Sequence, residues 1–405
     1  MPISHKIPLL KNHHTHPSVF AALQYGLDLS TLETKSDAMV ALAGQNKDFN
    51  LALGWNNSRY TFTRDELDSL APVLICNVSF HEFLVNTPAR KMFGQTYPEV
   101  MEHIDDTDWV ERNLHQILKF IAGASAITAR DIAGYYQSLA KEGVWYAEDM
   151  LLPGDPVIGL YKEAGCYERT RLWADMDSFE AMPPEHRQGV CGIKLFLDGA
   201  VGARTAALDD PYLSGGTGLL LKTDEELSSV LKKAAFFGKP VCVHTIGNRS
   251  TEQLIGVLEG LEKEDRPPAI RAEHCQFITL DMAERARSLG MILSMQPNFS
   301  EDSIQYLDRL PKGYGERNNP FRMLIDEAGF VPGRDLFFGS DGPPHGVEYA
   351  FKSSLFPPLA VQALKLEEII AGYCITGFAH GYIDLEIDYD KKSVGAQIIL
   401  TEKKD

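Results

Sequence analysis

The strongest constraint on this chain is an alternation. Eight short apolar, β-branched runs recur along it: IPLLKNHHTH (7–16), GVWYAEDM (143–150), RTRLWADM (169–176), GVCGIKLFLDG (189–199), KPVCVHTIG (239–247), AIRAEHCQ (269–276), GMILSMQP (290–297) and DLFFGSDG (335–342). Helical periodicity fills most of the gaps between them. TDEELSSVLKKAAFFG (223–238) has Thr223 as its N-cap, and STEQLIGVLEGLEKE (250–264) follows the same pattern. TLDMAERARSLG (279–290) is capped by Thr279 and ended by Gly290. Strands alternating with helices build a parallel sheet with helices packed on it, and eight such units predict a closed (β/α)8 TIM barrel. Several runs are almost continuously apolar, as strands buried on both faces must be.

Two regions depart from the alternation. Residues 40–142 contain two further strand-like runs, FNLALGW (49–55) and PVLICNVSF (72–80), followed by a helical segment. They read as a large insertion after the first barrel strand, covering the barrel mouth as a lid. Residues 381–405, including SVGAQIIL (393–400), read as one or two extra strands. No linker or internal repeat separates further domains, so the barrel with its insertion is expected over 1–380. At 405 residues, of which 44% are hydrophobic, the chain can bury a core of that size.

Charge narrows the partners. The 39 Lys and Arg against 56 Asp and Glu leave a formal charge of −17, without a basic stripe. Nucleic acid and acidic membrane surfaces both need a positive footprint, so neither is expected as a partner. No apolar run approaches the roughly 20 residues of a spanning helix, and the opening residues do not read as a signal peptide. The six cysteines stand apart without a CxxC pair, as free thiols do in a reducing compartment. The expectation is a cytoplasmic protein acting on a small molecule, with assembly into a homo-oligomer left open.

Chemistry collects at the ends of the runs. The first ends in His14-Thr15-His16, the fourth carries Lys194, the fifth ends at His244, the sixth at His274 and the eighth at Asp341. In a barrel the carboxyl ends of the strands form one face, so residues distant in sequence converge there. Period-two alternation also sets the His14 and His16 rings on the same side of their strand. Any one of the histidines reads as well as a hydrogen-bonded rim group, and Asp341 as a turn aspartate. Jointly, imidazoles and a carboxylate at neighbouring strand ends suit Zn²⁺ or a similar divalent ion.

Longer motifs carry a resemblance. They are GIKLFLDGAVGARTAAL (192–208), VCVHTIGN (241–248), RAEHCQFI (271–278), SMQPNF (294–299), FGSDGPP (338–344) and LDSLAPVLICNVSFHEFLVNTPA (67–89). In content and order they resemble the metal-dependent amidohydrolase superfamily, and within it the amidohydrolase family 3 branch that includes N-substituted formamide deformylases. The resemblance spans roughly residues 10 to 380 and is most specific at the Lys-x-Phe-x-Asp-Gly segment. It implies that His14 and His16 bind a first metal and that His244 and His274 bind a second. Lys194 would bridge the two as a CO₂-derived carbamate, and Asp341 would be both ligand and base. Asp198 and Arg204 would orient ligands or substrate. His81 would hydrogen-bond the oxyanion, or equally serve as a packing residue of the lid. The branch's flanking β-sandwich is expected to be missing or vestigial, because only 13 residues precede His14. Asn248 stands where the family has Asp.

The reaction so implied is hydrolysis of a linear amide-type C–N bond by water activated at one or two divalent ions, zinc first. A single-metal deaminase of the same superfamily would need a Glu soon after the fifth-strand histidine, and the first one after His244 is Glu252. A third reading is a barrel retired from catalysis that binds a metabolite or regulates a partner.

Overall fold

All eight apolar runs fold as strands of one parallel sheet. They are β1 (Leu10–Thr15), β2 (Val144–Asp149), β3 (Thr170–Ala174), β4 (Gly192–Phe196), β5 (Val241–Thr245), β6 (Ile270–His274), β7 (Ile292–Met295) and β8 (Leu336–Phe338), each neighbouring the next in chain order. The computed structural model describes residues 2–45, 47–57, 59–77 and 82–401, so His81 lies outside the described residues. The edges β1 and β8 meet where Asp341 N donates to His14 O (2.7 Å), in an isolated parallel bridge between Thr15 and Asp341. This closes the barrel. Val241, Cys242 and Val243 are fully buried, as a strand covered on both faces requires.

The helix caps follow the sequence. Thr223 accepts from Glu226 N while Glu226 reaches back to the Thr223 amide, a capping box that opens the helix Asp224–Phe236. Thr279 caps Leu280–Ser288, and Gly290 follows it with φ +73°, a backbone conformation open to glycine at little cost. The helix after β5 starts earlier than its Ser and Thr residues suggest, at Asn248.

The first run splits in two. Pro8 lacks an amide donor and interrupts it, so that Ile3–Ile7 leaves the barrel. Ile3–Ile7 pairs antiparallel with Gly381–Asp388, which in turn pairs with Ser393–Leu400. The expected vestige of a sandwich is thus a three-stranded sheet joining both ends of the chain. Its central strand alternates buried Ile383, Leu385 and Ile387 with exposed Asp384 and Glu386, which gives it one apolar face.

The chain forms two compact units, residues 1–17 with 136–405, and residues 18–135. In the second, Leu27–Asp28, Asn50–Trp55 and Val73–Asn77 pair in parallel and Phe83–Val85 closes the sheet antiparallel. Its apolar side chains gather in two clusters, one including Phe83, Ile117 and Phe120 and the other Ala38, Trp55 and Ile75. The unit begins at Ser18 where the sequence suggests residue 40, because Leu27–Asp28 is a strand of the small sheet. Among the described residues no helix is long and apolar enough to cross a membrane.

Candidate functional site

At the carboxyl ends of the barrel strands, ligand-capable atoms of His14, His274 and Asp341 lie within 4.8 Å of one another. His16 joins them, its Nε2 3.2 Å from Asp341 Oδ1, and the His14 and His16 rings stand 5.6 Å apart. The His244 ring is 4.4 Å from that of His274. Lys194 is fully enclosed, its Nζ 4.9 Å from the centre of the Phe196 ring. His14, His16, His244, His274 and Asp341 are therefore neighbours, and Lys194 stands one strand from His244, pairing in register with Cys242. Arg204 is exposed and contributes no contact to the cluster among the described residues.

The closure of the barrel positions Asp341. Asn12 Oδ1 accepts from His14 N (3.3 Å) and Ser340 N (3.1 Å), and Asn12 Nδ2 donates to Ser340 Oγ (2.7 Å). Gly339 permits this approach, since a Cβ there would stand 2.6 Å from His14 N. Asp341 and His274 both hold left-handed backbone, φ +61° and +70°. Such conformations cost a non-glycine residue roughly 1–3 kcal/mol and gather at functional sites.

Three of the imidazoles each use one nitrogen on a protein acceptor. His14 Nδ1 lies 2.6 Å from Glu273 Oε2, His274 Nδ1 lies 2.6 Å from Gln296 Oε1, and His244 Nε2 lies 3.0 Å from Gly199 O. Each partner is an acceptor, so each contacted nitrogen carries the proton and the opposite one presents a lone pair. Orienting partners of this kind set the tautomer of metal-binding histidines. Burial, reinforced by the Lys194 charge, lowers the pKa of His14 and takes His244 down to about 3. Burial and the neighbouring rings hold His274 well below the usual histidine range. The rings are consequently neutral, the form that binds a cation. Burial opposes the Asp341 charge, yet His16 and His14 outweigh it and hold the carboxyl well below its ordinary value.

Several atoms here lack a protein partner. Lys194 Nζ, His274 Nε2 and His16 Nδ1 are buried without a hydrogen bond. Burial lowers the Lys194 pKa, which favours its neutral amine.

The sequence names Asp198 and Asn248 but not the contacts by which they and Arg271 support these residues. Arg271, buried, donates to Glu273 Oε1 (2.5 Å) and Glu148 Oε2 (2.8 Å), and through Glu273 it holds His14. Asp198 accepts from Ala207 N (3.0 Å), Ile246 N (3.0 Å) and Gly247 N (2.7 Å), tying the segment after β4 to the end of β5. Burial raises its pKa to about 7 despite these amides. Asn248 exchanges two hydrogen bonds with Asp209, 2.5 and 3.1 Å, and so clamps the same segment. Glu252 meets Arg285 with both carboxylate oxygens (2.9 and 2.8 Å), which uses the group a deaminase would need.

Comparison with known proteins adds lineage. The sequence profile of the Amidohydrolase family matches residues 6–347. The chain is 26% identical to YtcJ of Bacillus subtilis (strain 168) over 411 residues, 89% of this chain and 73% of that protein. A shorter stretch of 156 residues, 38% of this chain and 26% of the relative, is 29% identical to Protein LONG AFTER FAR-RED 3 of Arabidopsis thaliana. Among solved structures, an uncharacterized metal-dependent hydrolase from Pyrococcus horikoshii OT3 superposes with a TM-score of 0.69 at 19% identity, covering 87% of this chain and 74% of that one. One from Pyrococcus furiosus gives 0.67 at 18%, covering 90% and 79%. The two show the same fold.

Proposed function

Because the chain belongs to the amidohydrolase family, we propose that it is a metal-dependent hydrolase that cleaves a linear amide-type C–N bond of a small molecule. One observation carries the reading. His274 Nε2 is buried without a partner beside His14, His16, His244 and Asp341, and the buried Lys194 Nζ, on the strand next to that of His244, likewise has none. An unpaired buried polar atom costs roughly 1–3 kcal/mol, and a cation among these groups would offset that cost. The donor set of neutral imidazoles, a carboxylate and a lysine amine fits a divalent ion, zinc first.

His14, His16, Lys194, His244, His274 and Asp341 would hold one or two such ions. The bound ion supplies Lewis acidity, acidifying water and polarising a carbonyl. Asp341 accepts the proton of the attacking water on its carboxylate and returns it to the leaving nitrogen. Its depressed pKa keeps it charged at neutral pH, as a cation ligand requires. Burial moves Lys194 towards its neutral amine, the form that takes up CO₂: the nitrogen lone pair would bond the carbon, an N–H proton would leave, and a carbamate with two oxygens would result. Arg204 would orient the substrate from the rim.

The test is a screen of N-acyl and N-formyl amines on protein expressed with added zinc, before and after chelation. Release of free amine that disappears on chelation and returns with metal is the expected result. Turnover that chelation leaves untouched would refute the metal-dependent reading.

A further inference from the structure

The turn after β7 carries a carboxylate that no cation of the protein answers. Pro297–Glu301 is a 3₁₀ turn, and Asp302 opens the short helix Asp302–Gln305 that follows it. Side chains three positions apart eclipse on such a turn, so Asp302 shares a face with Phe299. Phe299 stacks on the His274 ring, the centroids 5.7 Å apart and the planes within 9° of parallel. Gln276, which follows His274 and Cys275, donates from Nε2 to Asp302 Oδ2 (2.8 Å). Asp302 therefore stands beside the metal candidates, at the carboxyl end of the barrel.

A frame of amides fixes this turn. Gln276 Nε2 also donates to Asn318 Oδ1 (3.0 Å), and Asn318 Nδ2 donates to Phe299 O (2.8 Å) and Ser303 Oγ (3.2 Å). Gln362 Nε2 reaches the same Ser303 Oγ (2.6 Å). Within the frame the Asp302 carboxylate accepts from Gln276 alone. Neither Asp302 nor the adjacent Glu301 has an ion pair among the described residues. Arg309, over the Tyr306 ring at 4.7 Å, spends Nε and Nη2 on Asp308 (3.0 Å each). Burial lifts the Asp302 pKa to about 7 against the Gln276 hydrogen bond, and Glu301 adds to the rise. A mostly buried carboxylate left without a counter-charge is costly, and a cation arriving with the substrate would offset that cost. Tyr349, on the helix Val347–Leu355 beyond the Asp341 loop, borders the same space: burial, then Glu301 and Asp302, raise its pKa. A phenol ring beside a carboxylate suits an ammonium, which gains from the charge and from the ring face.

We propose that Asp302, with Glu301 and Tyr349 around it, binds a cationic amine at the far end of the substrate, so that the amide cleaved is that of a diamine whose other nitrogen is free. The cleavage half of this statement rests on the hydrolytic reading above; the cation subsite does not.

Calorimetric titration of metal-loaded Asp341→Asn, where turnover does not intrude, tests the subsite. The probes are N-acetylputrescine and N-acetylcadaverine, each beside its neutral shape, N-pentylacetamide and N-hexylacetamide, in which a methyl group replaces the ammonium. In at least one pair the cationic probe should bind about tenfold or more tightly, the yield of one charge-assisted contact. Adding Asp302→Asn should abolish that preference and leave the neutral probe unchanged. The thermal midpoint should not fall, because Asn keeps an oxygen for Gln276 and sheds the charge. Equal affinity within both pairs, no binding at millimolar concentration, or a preference that survives Asp302→Asn would overturn the proposal. So would a like loss of both members of a pair with a lowered midpoint, which marks a structural role. Failure of the hydrolytic reading looks different: the parent would prefer the cationic probes yet release no acetate from any of the four.

Discussion

At the scale of single residues, function depends on which atom of each side chain is already occupied. Asp341→Asn preserves size while removing the proton acceptor. It should retain bound metal and lose turnover by about 100-fold or more, the usual range for a lost general base; activity within a few-fold of the parent would remove Asp341 from that role. Glu273→Gln addresses support instead of contact. Glu273 accepts from both Arg271 and His14, and its amide replacement would place a donor against one of them. Metal affinity should fall by about 10- to 100-fold, as when other orienting partners are lost, and an unchanged affinity in a metal titration would contradict the assigned tautomer of His14. His14, His244 and His274 were legible in the sequence because each ends an apolar run. Glu273 and Gln296 stand inside recognisable motifs, but their acceptor roles depend on which ring nitrogen they meet. Asn12 and Ser340 stand inside recognisable segments, but their pairing carried no signal, the two being 328 residues apart until the barrel closes.

At the scale of elements, the strands were legible because burial on both faces forces continuous apolar runs. Their junctions were not. Ile7 and Leu10 belong to different sheets, and only the missing donor of Pro8 marks the break. Leu27–Asp28 is a two-residue strand, too short for any periodicity to register. The loops after β4 and β5 are held by Asp198, whose three amide contacts are invisible in sequence. Asp198→Ala should cost about 3 kcal/mol or more, because it strands buried amides at roughly 1–3 kcal/mol each. Chemical denaturation would measure this, and a change below about 1 kcal/mol would show that the loops close without it. Gly247 makes the same junction tight, since a Cβ there would run into Ala207 O. Gly247→Ala should therefore lower stability by about 1–3 kcal/mol, the common cost of overpacking, and an unchanged denaturation midpoint would refute that contact.

At the scale of the whole molecule, the barrel encloses charge as well as apolar surface. Glu148 and Glu273 flank the buried Arg271 guanidinium. Burial opposes the Glu148 charge, but Arg271, with His13 and Lys11, holds the carboxyl below the usual carboxylate range. A carboxyl depressed on folding stabilises above its unfolded pKa, near 4.3, and loses that contribution as pH falls below it. The thermal midpoint should therefore drop between about pH 5 and pH 3, while a flat or rising midpoint over that window would contradict the paired state of Glu148. In the proposed function, six residues far apart in sequence form one divalent-metal site. Elemental analysis of the purified protein, beside His14→Ala and His274→Ala, tests it most directly. The parent should hold stoichiometric zinc or another divalent ion, and both variants should show a clear loss. A parent without metal after zinc-supplemented expression, or variants that retain the parent's full occupancy, would contradict it.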